Sequence, residues 1–460
     1  MSDKRTNGSA MLGKKMARGG RRHHYRTERL EFFADIYHLD GPIESWDVSG
    51  VRTMYKLFAD YPGDLPDISG WNVSNVEDMG FMFQNCKRIP YLGDWDVSKV
   101  KTMSHMFSGC SGQVFFNGIG QWNTRALEDI SYMFEGCCNV RELFLSTWYT
   151  KNIRDMTGVF SGCHALSNLA IKAWCTEKVR TMSSLFEECK SLTYIDLDSF
   201  TGDSLRAADR MFAQCGELVL VKLEYLATPK LLTMREMFYN CRKLALISWP
   251  KLTTKTVTNM SNLFCNCREL TSVDLSGFDT SNVLDMASMF DSCFKLTNID
   301  VSAFNTANVN DMSRMFAVTA VSSLNLKSFN TERVRSMMGM FIGCEKLEYL
   351  DLTSFDTRRL KNLKGMFQGC KCLSKIKGID SDKFKVNGVE DFAFMFHGCD
   401  SLAILDLSKW VPWNAQGVEF MFSDCSNLAA IKVPPIFKEL EEPRMKMLAD
   451  SLNALQLGPK

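Results

Sequence analysis

The sequence contains no apolar run that approaches the ~18 residues needed to cross a bilayer. Its positively charged N-terminus is not followed by an apolar stretch, so the pattern of a secretory signal is missing. The first cysteine is Cys86, and no cysteine near the start is therefore placed for lipid attachment. These absences give no route to the cell surface and predict a protein of a reducing compartment.

Recognisable catalytic and metal-binding patterns are also scarce. The six histidines share no repeat position, and neither a Gly-x-Ser-x-Gly nor a Walker sequence occurs. Two Cys-x-Cys pairs, beginning at Cys265 and Cys370, and the pair Cys137-Cys138 invite a zinc interpretation. Zinc sites usually need C-x-x-C spacing with a second pair or histidine, and one member of each pair belongs to the repeat described below. The sequence therefore predicts no enzymatic activity, no cofactor and no metal ion.

What the sequence does contain is a Met-Phe pair followed three residues later by Cys, which recurs along almost the whole chain. Successive phenylalanines are 24 to 29 residues apart, and most steps are 26. A period of roughly 20–30 residues is typical of a solenoid, in which each unit buries its apolar side against its neighbours. The repeat phenylalanines are Phe58, Phe83, Phe107, Phe134, Phe160, Phe186, Phe212, Phe238, Phe264, Phe290, Phe316, Phe341, Phe367, Phe396 and Phe422.

Cysteine usage follows the same repeat. Thirteen of the seventeen cysteines lie three residues after a repeat phenylalanine. Tyr61 and Thr319 take that position in the two other units, and an odd number of replaceable cysteines is not a disulfide framework. Because free cysteine behaves as a small buried hydrophobe, we expect a column of reduced thiols inside the solenoid.

The unit at residues 267–293 shows how one turn is expected to fold. Apolar and polar residues alternate around Val273, as in a strand that buries one face. The apolar stripe over 283–293 has the spacing of a short helix, with Thr280 or Ser281 as its N-cap. Twelve residues before the phenylalanine, Trp occupies the first six units and Phe most of the later ones. We therefore expect an aromatic column beside the cysteine column.

The combined pattern Phe-x-x-Cys-x-x-Leu-x-x-Leu-Asp-Leu-Ser-x-Phe-x-Thr-x-x-Val-x-x-Met, clearest at residues 264–290 and 290–316, resembles the BspA-like leucine-rich repeats. These are also described as a mycoplasma-lipoprotein-type repeat of unknown function, and the resemblance covers about 46–433. It implies a non-catalytic solenoid that binds other proteins or surfaces. With the periodicity, it predicts an α/β repeat solenoid: a leucine-rich-repeat-like, right-handed stack of about 15 turns, each with a short parallel β-strand and a short helix.

Four parts of the chain can be distinguished on this basis. Residues 1–26 are predicted to be a basic flexible arm, since the first thirty residues contain nine Lys or Arg against two acidic residues. Residues 27–45 are assigned to an N-terminal capping helix and lead-in, 46–433 to the solenoid, and 434–460 to a C-terminal capping helix. Caps are expected because the end turns of a solenoid otherwise expose core and unpaired strand edges.

Two groups of charged residues are candidates for binding a partner. Aspartates on the predicted strands would line up as an acidic ribbon on the solvent face and attract a basic partner or cations, unless they form only a solvated face. The arm would bind nucleic acid, an anionic membrane surface or an acidic protein, unless it is only a solubilising tail. The candidate residues are Asp196, Asp274, Asp300, Asp351 and Asp406 in the ribbon and Arg18, Arg21, Arg22 and Arg26 in the arm.

These features predict a non-enzymatic protein-interaction scaffold or structural building block of a larger assembly, with a large DNA virus particle as the most concrete version. Relatives of the resembled family include adhesins and surface lipoproteins, so a surface or secreted adhesin-like protein is the alternative. A tether to nucleic acid or an anionic surface through the arm is the second alternative. The expected location is intracellular or in a virion, with the cell surface as the alternative, and the expected partners are other proteins.

Overall fold

The computed structural model describes residues 30–432, apart from residues 32, 35, 36 and 38. Over this range the chain forms a solenoid of stacked parallel strands, in agreement with the repeat period. The predicted arm at 1–26 and the predicted C-terminal capping helix at 434–460 lie outside the described residues. The core consists of columns in which like residues of successive units lie against one another.

The lead-in before the first repeat packs against the end of this core. Residues with helical backbone here are Leu30, Glu31, Phe33, Ala34 and Tyr37, and a 3-10 helix follows at Ile43–Ser45. The ring of Phe33 lies 6.1 Å from that of Trp46, which in turn lies 6.1 Å from Trp71 of the next unit. Phe33 therefore packs against the first member of the tryptophan column, and the capping role of this segment stays a prediction.

The strands are short and unevenly distributed. The named strands in the described part of the chain are β1 (Glu142–Phe144), β2 (Asn168–Ala170), β3 (Tyr194–Asp196), β4 (Leu220–Lys222), β5 (Leu246–Ser248), β6 (Tyr349–Asp351), β7 (Lys375–Lys377), β8 (Ile404–Asp406) and β9 (Ala430–Lys432). They form four parallel sheets, β1-β2, β3-β4-β5, β6-β7 and β8-β9. The strand predicted around Val273 is reduced to a single bridge between Ser272 and Asn298. A second 3-10 helix spans Ile119–Gln121.

A second parallel ladder runs along the solenoid, five residues before each repeat phenylalanine. One residue of every unit bridges to the equivalent residue of the next unit. The bridged positions are Thr53, Asp78, Thr102, Asp129, Asp155, Thr181, Ala207, Thr233, Asn259, Asp285, Asp311, Ser336, Asn362, Asp391 and Gly417. This ladder continues through the units that have no named strand, so it keeps the stack in register over the described repeats.

The short helix predicted for the Met-Phe segment is wrong. In the unit at 283–293, the N–H of Ser288 donates to the carbonyl of Ser313 at 2.8 Å and that of Phe290 to Met315 at 2.9 Å. Residues two before and two after each repeat phenylalanine have positive φ, between 54° and 73°. Left-handed residues interrupt a right-handed helix, and N–H groups bonded to the next turn are not available to an α-helix. The apolar stripe therefore arises from a chain of turns.

Core packing confirms the predicted columns. The ring of Phe238 stacks at 5.3 Å on Phe212 and at 5.8 Å on Phe264. The thiol of Cys241 donates to the carbonyl of Phe212 in the preceding turn at 3.0 Å. All thirteen cysteines of the column are buried, and all seventeen cysteines are free thiols. Phenylalanine and cysteine thus fill neighbouring columns, and each thiol bonds to the turn before it.

Polar atoms inside the stack bond between turns. The predicted N-cap Thr280 is buried, and its hydroxyl donates to the carbonyl of Asn305 at 3.0 Å and accepts from the N–H of Asn305 at 2.8 Å. The indole N–H of Trp148 donates to the carbonyl of Ile119 at 2.9 Å. Since a buried polar group is costly without a partner, these bonds explain why threonine and tryptophan are tolerated in the core.

Candidate protein-interaction surface

The outward face of the sheet β3-β4-β5 carries a row of apolar side chains. The middle residues of these strands are buried, whereas the first and third residues alternate to the outside. Tyr194, Leu220 and Leu246 are the first residues, and the strand register places them opposite one another. Tyr194 is 43% exposed and Leu246 is 58% exposed. This apolar row was not predicted from the sequence, although the alternation of Leu246 with a buried residue was available as a signal.

The predicted acidic ribbon is interrupted by lysines. The third residues of the strands form its column, and the register pairs Asp196 with Lys222 and Asp351 with Lys377. Lys377 Nζ lies 3.0 Å from Asp351, and at the end of the column Asp406 pairs in the same way with Lys432 at 3.1 Å. A continuous acidic ribbon is therefore wrong, because three of its five aspartates have a lysine in the adjacent turn.

The register also removes Asp380, which the repeat spacing alone would place in the ribbon. In the unit that is 29 residues long, β7 pairs with β6 so that Lys377 lies opposite Asp351. The additional residues of this unit therefore follow the strand. Asp380 precedes Phe396 by the same number of residues as Asp351 precedes Phe367. Because the insertion lies between the strand and Phe396, the residue in the column is Lys377 instead.

The carboxylates of the ribbon bond to their own chain. Asp274 accepts from the N–H of Ser276 at 2.9 Å, and Asp300 accepts from the N–H of Ser302 at 2.9 Å. These two aspartates occupy equivalent positions in neighbouring units, and hydrogen bonds from the serines lower the pKa of both carboxyls. Each carboxylate therefore closes a turn and stays ionised at neutral pH.

Asp351 shows the same arrangement most strongly. Its carboxylate accepts from the hydroxyl and the N–H of Thr353 at 2.6 and 3.0 Å. The hydrogen bond from the Thr353 side chain, with the ion pair to Lys377, lowers the pKa of Asp351 to about 2. Asp196 and Asp406 close equivalent turns, with N–H to carboxylate distances of 3.1 and 3.0 Å. The ribbon aspartates thus have a local structural role, and their role in binding stays a prediction.

The arm residues Arg18, Arg21, Arg22 and Arg26 lie outside the described residues, so their role also stays a prediction. Among residues 30–432, no group of three or more His, Cys, Asp or Glu side chains is placed to hold a metal ion. In that same range, no helix is both long and apolar enough to cross a membrane. Of the predicted Cys-x-Cys pairs, Cys267 and Cys370 are buried in the cysteine column.

Solved structures similar to this chain include leucine-rich repeat proteins. One from Bacteroides ovatus is 14% identical, with the match covering 72% of this chain and 76% of that chain at a TM-score of 0.38. A leucine-rich cell surface protein from Faecalibacterium prausnitzii is 16% identical, covering 71% and 78% at a TM-score of 0.31. A leucine-rich repeat protein from T. pallidum is 20% identical, covering 42% and 70% at a TM-score of 0.24.

No curated protein matches the chain. Overlapping segments of it match one family at residues 27–114, 111–220, 134–245, 232–349 and 338–432. Together these matches extend over the lead-in and the whole of the described solenoid. The chain belongs to the family described as Mycoplasma protein of unknown function, DUF285.

Proposed function

We propose that this protein is a non-enzymatic protein-interaction scaffold that docks partners on the outward face of β3-β4-β5. The apolar row Tyr194, Leu220 and Leu246 carries the proposal. It lies on the only three-stranded sheet among the described residues, so its three side chains are held in fixed register. An ordered apolar row on a solvent face is a common mark of a protein-binding site.

The charges beside the row fit the same role. Asp196 and Lys222 lie in the adjacent outward column of the same strands, opposite one another. Interfaces commonly have an apolar centre with aromatic residues and a polar rim. A partner that buries Tyr194 and Leu246 would gain about 25 cal/mol for each Å² of apolar surface removed from water. The partner that fits is a protein with a complementary apolar patch.

We also propose that the protein is a building block of a larger assembly, and the length of the solenoid supports this. If each bridged position stands for one turn, the solenoid has about 15 turns and a length on the order of 70 Å at ~4.8 Å per turn. Such a rod suits a building block of a larger assembly. A virus particle as that assembly, and an adhesin as the alternative, both stay predictions.

The proposal is tested by site-specific photo-cross-linking in the native setting of the protein. A photoreactive residue at Tyr194 is expected to cross-link one partner, and Leu246→Glu is expected to abolish that product because it places a charge in the apolar row. Circular dichroism of the variant should be unchanged, since Leu246 is largely exposed.

A control places the same photoreactive residue at Phe420, which is more exposed than Tyr194 (58% against 43%) but belongs to the Met-Phe segment of another unit. Equal cross-linking at both positions, or a product that survives Leu246→Glu, would contradict docking on this sheet. We further propose that the arm adds a tether to an anionic partner. Nucleic-acid binding that is salt-sensitive and survives deletion of residues 1–30 would refute that tether.

A further inference from the structure

A second exposed column lies six residues before each repeat phenylalanine, away from the strands. Its backbone forms a continuous ladder, in which Arg180 donates to the carbonyl of Arg154 at 2.9 Å and Arg206 to that of Arg180 at 2.8 Å. The ladder continues from Arg206 to Leu232 at 2.8 Å. Side chains in this column are therefore held about one strand spacing, ~4.8 Å, from their neighbours in adjacent turns.

Opposite charges pair along this column toward both ends of the solenoid. Lys101 lies 2.7 Å from Glu77, which is also 3.7 Å from Arg52. Near the other end, Lys361 lies 3.0 Å from Glu390. Charged side chains of this column thus form ion pairs between neighbouring turns wherever acidic and basic residues alternate.

The alternation fails in the middle of the solenoid. Arg154, Arg180 and Arg206 are three exposed arginines in successive turns, and only Arg154 has an acidic neighbour in the column, Glu128 at 3.1 Å. Within the described residues, Arg180 and Arg206 form no ion pair. Like charges ~5 Å apart repel one another, so this stretch of the column is left with unbalanced positive charge.

The same column turns apolar directly after the arginines. Leu232 is 46% exposed, and two turns further on Leu284 is 45% exposed, with Thr258 between them. Five steps of ~4.8 Å separate Arg154 from Leu284, which is about 24 Å. An extended peptide rises about 3.3 Å per residue, so about seven residues would cover this distance.

We propose that this Arg–Leu edge (Arg154, Arg180, Arg206, Leu232 and Leu284) binds an extended protein segment with an acidic block followed by an apolar block. Carboxylates of the segment replace the acidic side chains that the column lacks opposite Arg180 and Arg206. Guanidinium groups bind carboxylates in a bidentate geometry, and the leucines favour a protein over a nucleic-acid backbone. This surface is separate from the strand face, so either proposal can fail without the other.

The test measures fluorescence anisotropy of a labelled peptide of about ten residues, with a glutamate block and a leucine block, against the full-length protein. Polyglutamate of the same length and a single-stranded oligonucleotide serve as competing probes. We expect the block peptide to bind best, with an affinity that falls as salt rises. Arg180→Glu with Arg206→Glu should weaken it about tenfold or more, and Leu232→Ser with Leu284→Ser several-fold.

Arg335→Glu is the matched control, because Arg335 is an exposed arginine of the same column without a leucine in the adjacent turns. It should leave binding unchanged, and a peptide with lysine in place of glutamate should bind the Arg180→Glu, Arg206→Glu variant better than the original protein. The proposal is overturned if the block peptide does not bind or ignores the arginine variants. It is equally overturned if polyglutamate or the oligonucleotide binds as tightly and ignores the leucine variants.

Discussion

Each repeat unit has two halves. The Met-Phe half extends from the bridged position, five residues before the repeat phenylalanine, to the column position three residues after it, and the strand half is the remainder, which contains the β-strands. The two halves differ in how regularly their structure recurs. In the Met-Phe half, the bridge ladder and the two positive φ angles recur around every repeat phenylalanine from Phe58 to Phe422. In the strand half, only nine units of the described chain form a β-strand, and the long segment between Ser248 and Tyr349 contains none. The Met-Phe half therefore determines the stack, and the strand half is free to vary.

Burial explains this difference. The repeat phenylalanines and column cysteines of the Met-Phe half are almost completely buried, and their neighbours bond to adjacent turns. A strand of three residues buries only its middle side chain, such as Ile195 in β3. Substitution on the outer strand face should therefore cost little stability.

The largest expected difference between the halves comes from truncating a stacked ring. Phe238→Ala removes a fully buried ring that lies between Phe212 and Phe264. The lost burial and the cavity should lower the free energy of unfolding by about 3–5 kcal/mol. Urea unfolding followed by circular dichroism measures the change.

Leu246→Ala is the counterpart in the strand half. Because Leu246 is mostly exposed, its truncation should change the free energy of unfolding by at most about 0.5 kcal/mol. Similar losses for the two variants would contradict the division of roles between the halves.

A smaller effect is expected from the left-handed backbone positions of the Met-Phe half. Gly158 has φ of 60°, and a Cβ there would overlap with Cδ1 of Tyr132 in the preceding turn. Gly158→Ala should cost about 2 kcal/mol or more, since it adds left-handed strain and displaces the ring. Thermal and urea unfolding report the loss.

Two controls separate these causes. Gly216→Ala should be nearly neutral, because a Cβ added at Gly216 would meet no heavy atom within 4 Å and the residue has no positive φ. Ser184 occupies the position equivalent to Gly158 in the next unit with φ of 56°, so a side chain is tolerated there. Gly158→Ala should therefore cost less in a Tyr132→Ala background than in the original protein, and an equal cost in both backgrounds would exclude the ring contact as a cause.

Much of the stack could be predicted from the sequence because its columns depend on residue type alone. The phenylalanine and cysteine columns required only the period, and Thr319 in place of cysteine showed that no disulfide was needed. The helix was predicted wrongly because a stripe at spacings of three and four residues fits both a helix and a chain of turns. Only the inter-turn hydrogen bonds and the positive φ angles distinguish the two.

The candidate site was predicted less well, for a physical reason. A surface column depends on which turns lie side by side, and one insertion displaces it, as happened with Asp380 and Lys377. The apolar row and the Arg–Leu edge are combinations of residues from several turns. They become visible only after the register of Tyr194, Leu220 and Leu246, or of the arginines, is known.

The smallest expected effect per substitution concerns the thiols and appears only at alkaline pH. Burial raises the pKa of Cys215 to about 12 and that of Cys344 to about 11. A thiol whose pKa is raised by folding stays protonated in the folded state while the unfolded chain ionises near pH 9. The stability that each buried thiol contributes is thus fully present below about pH 8.5 and is lost as the pH rises toward the pKa of the folded state. The free energy of unfolding should therefore fall steeply above that pH.

Cys215→Thr tests this within the Met-Phe half, because threonine occupies the same position at Thr319, where its hydroxyl donates to Phe316 at 2.9 Å. Removing one titrating thiol should reduce the alkaline slope of the unfolding free energy by up to about 1.4 kcal/mol per pH unit. Cys372→Thr is the control, because this cysteine is exposed and lies outside the column. Urea unfolding near pH 8 and near pH 10 measures both slopes. Equal slopes for the two variants would mean that the column thiols ionise in the folded protein, contrary to their burial.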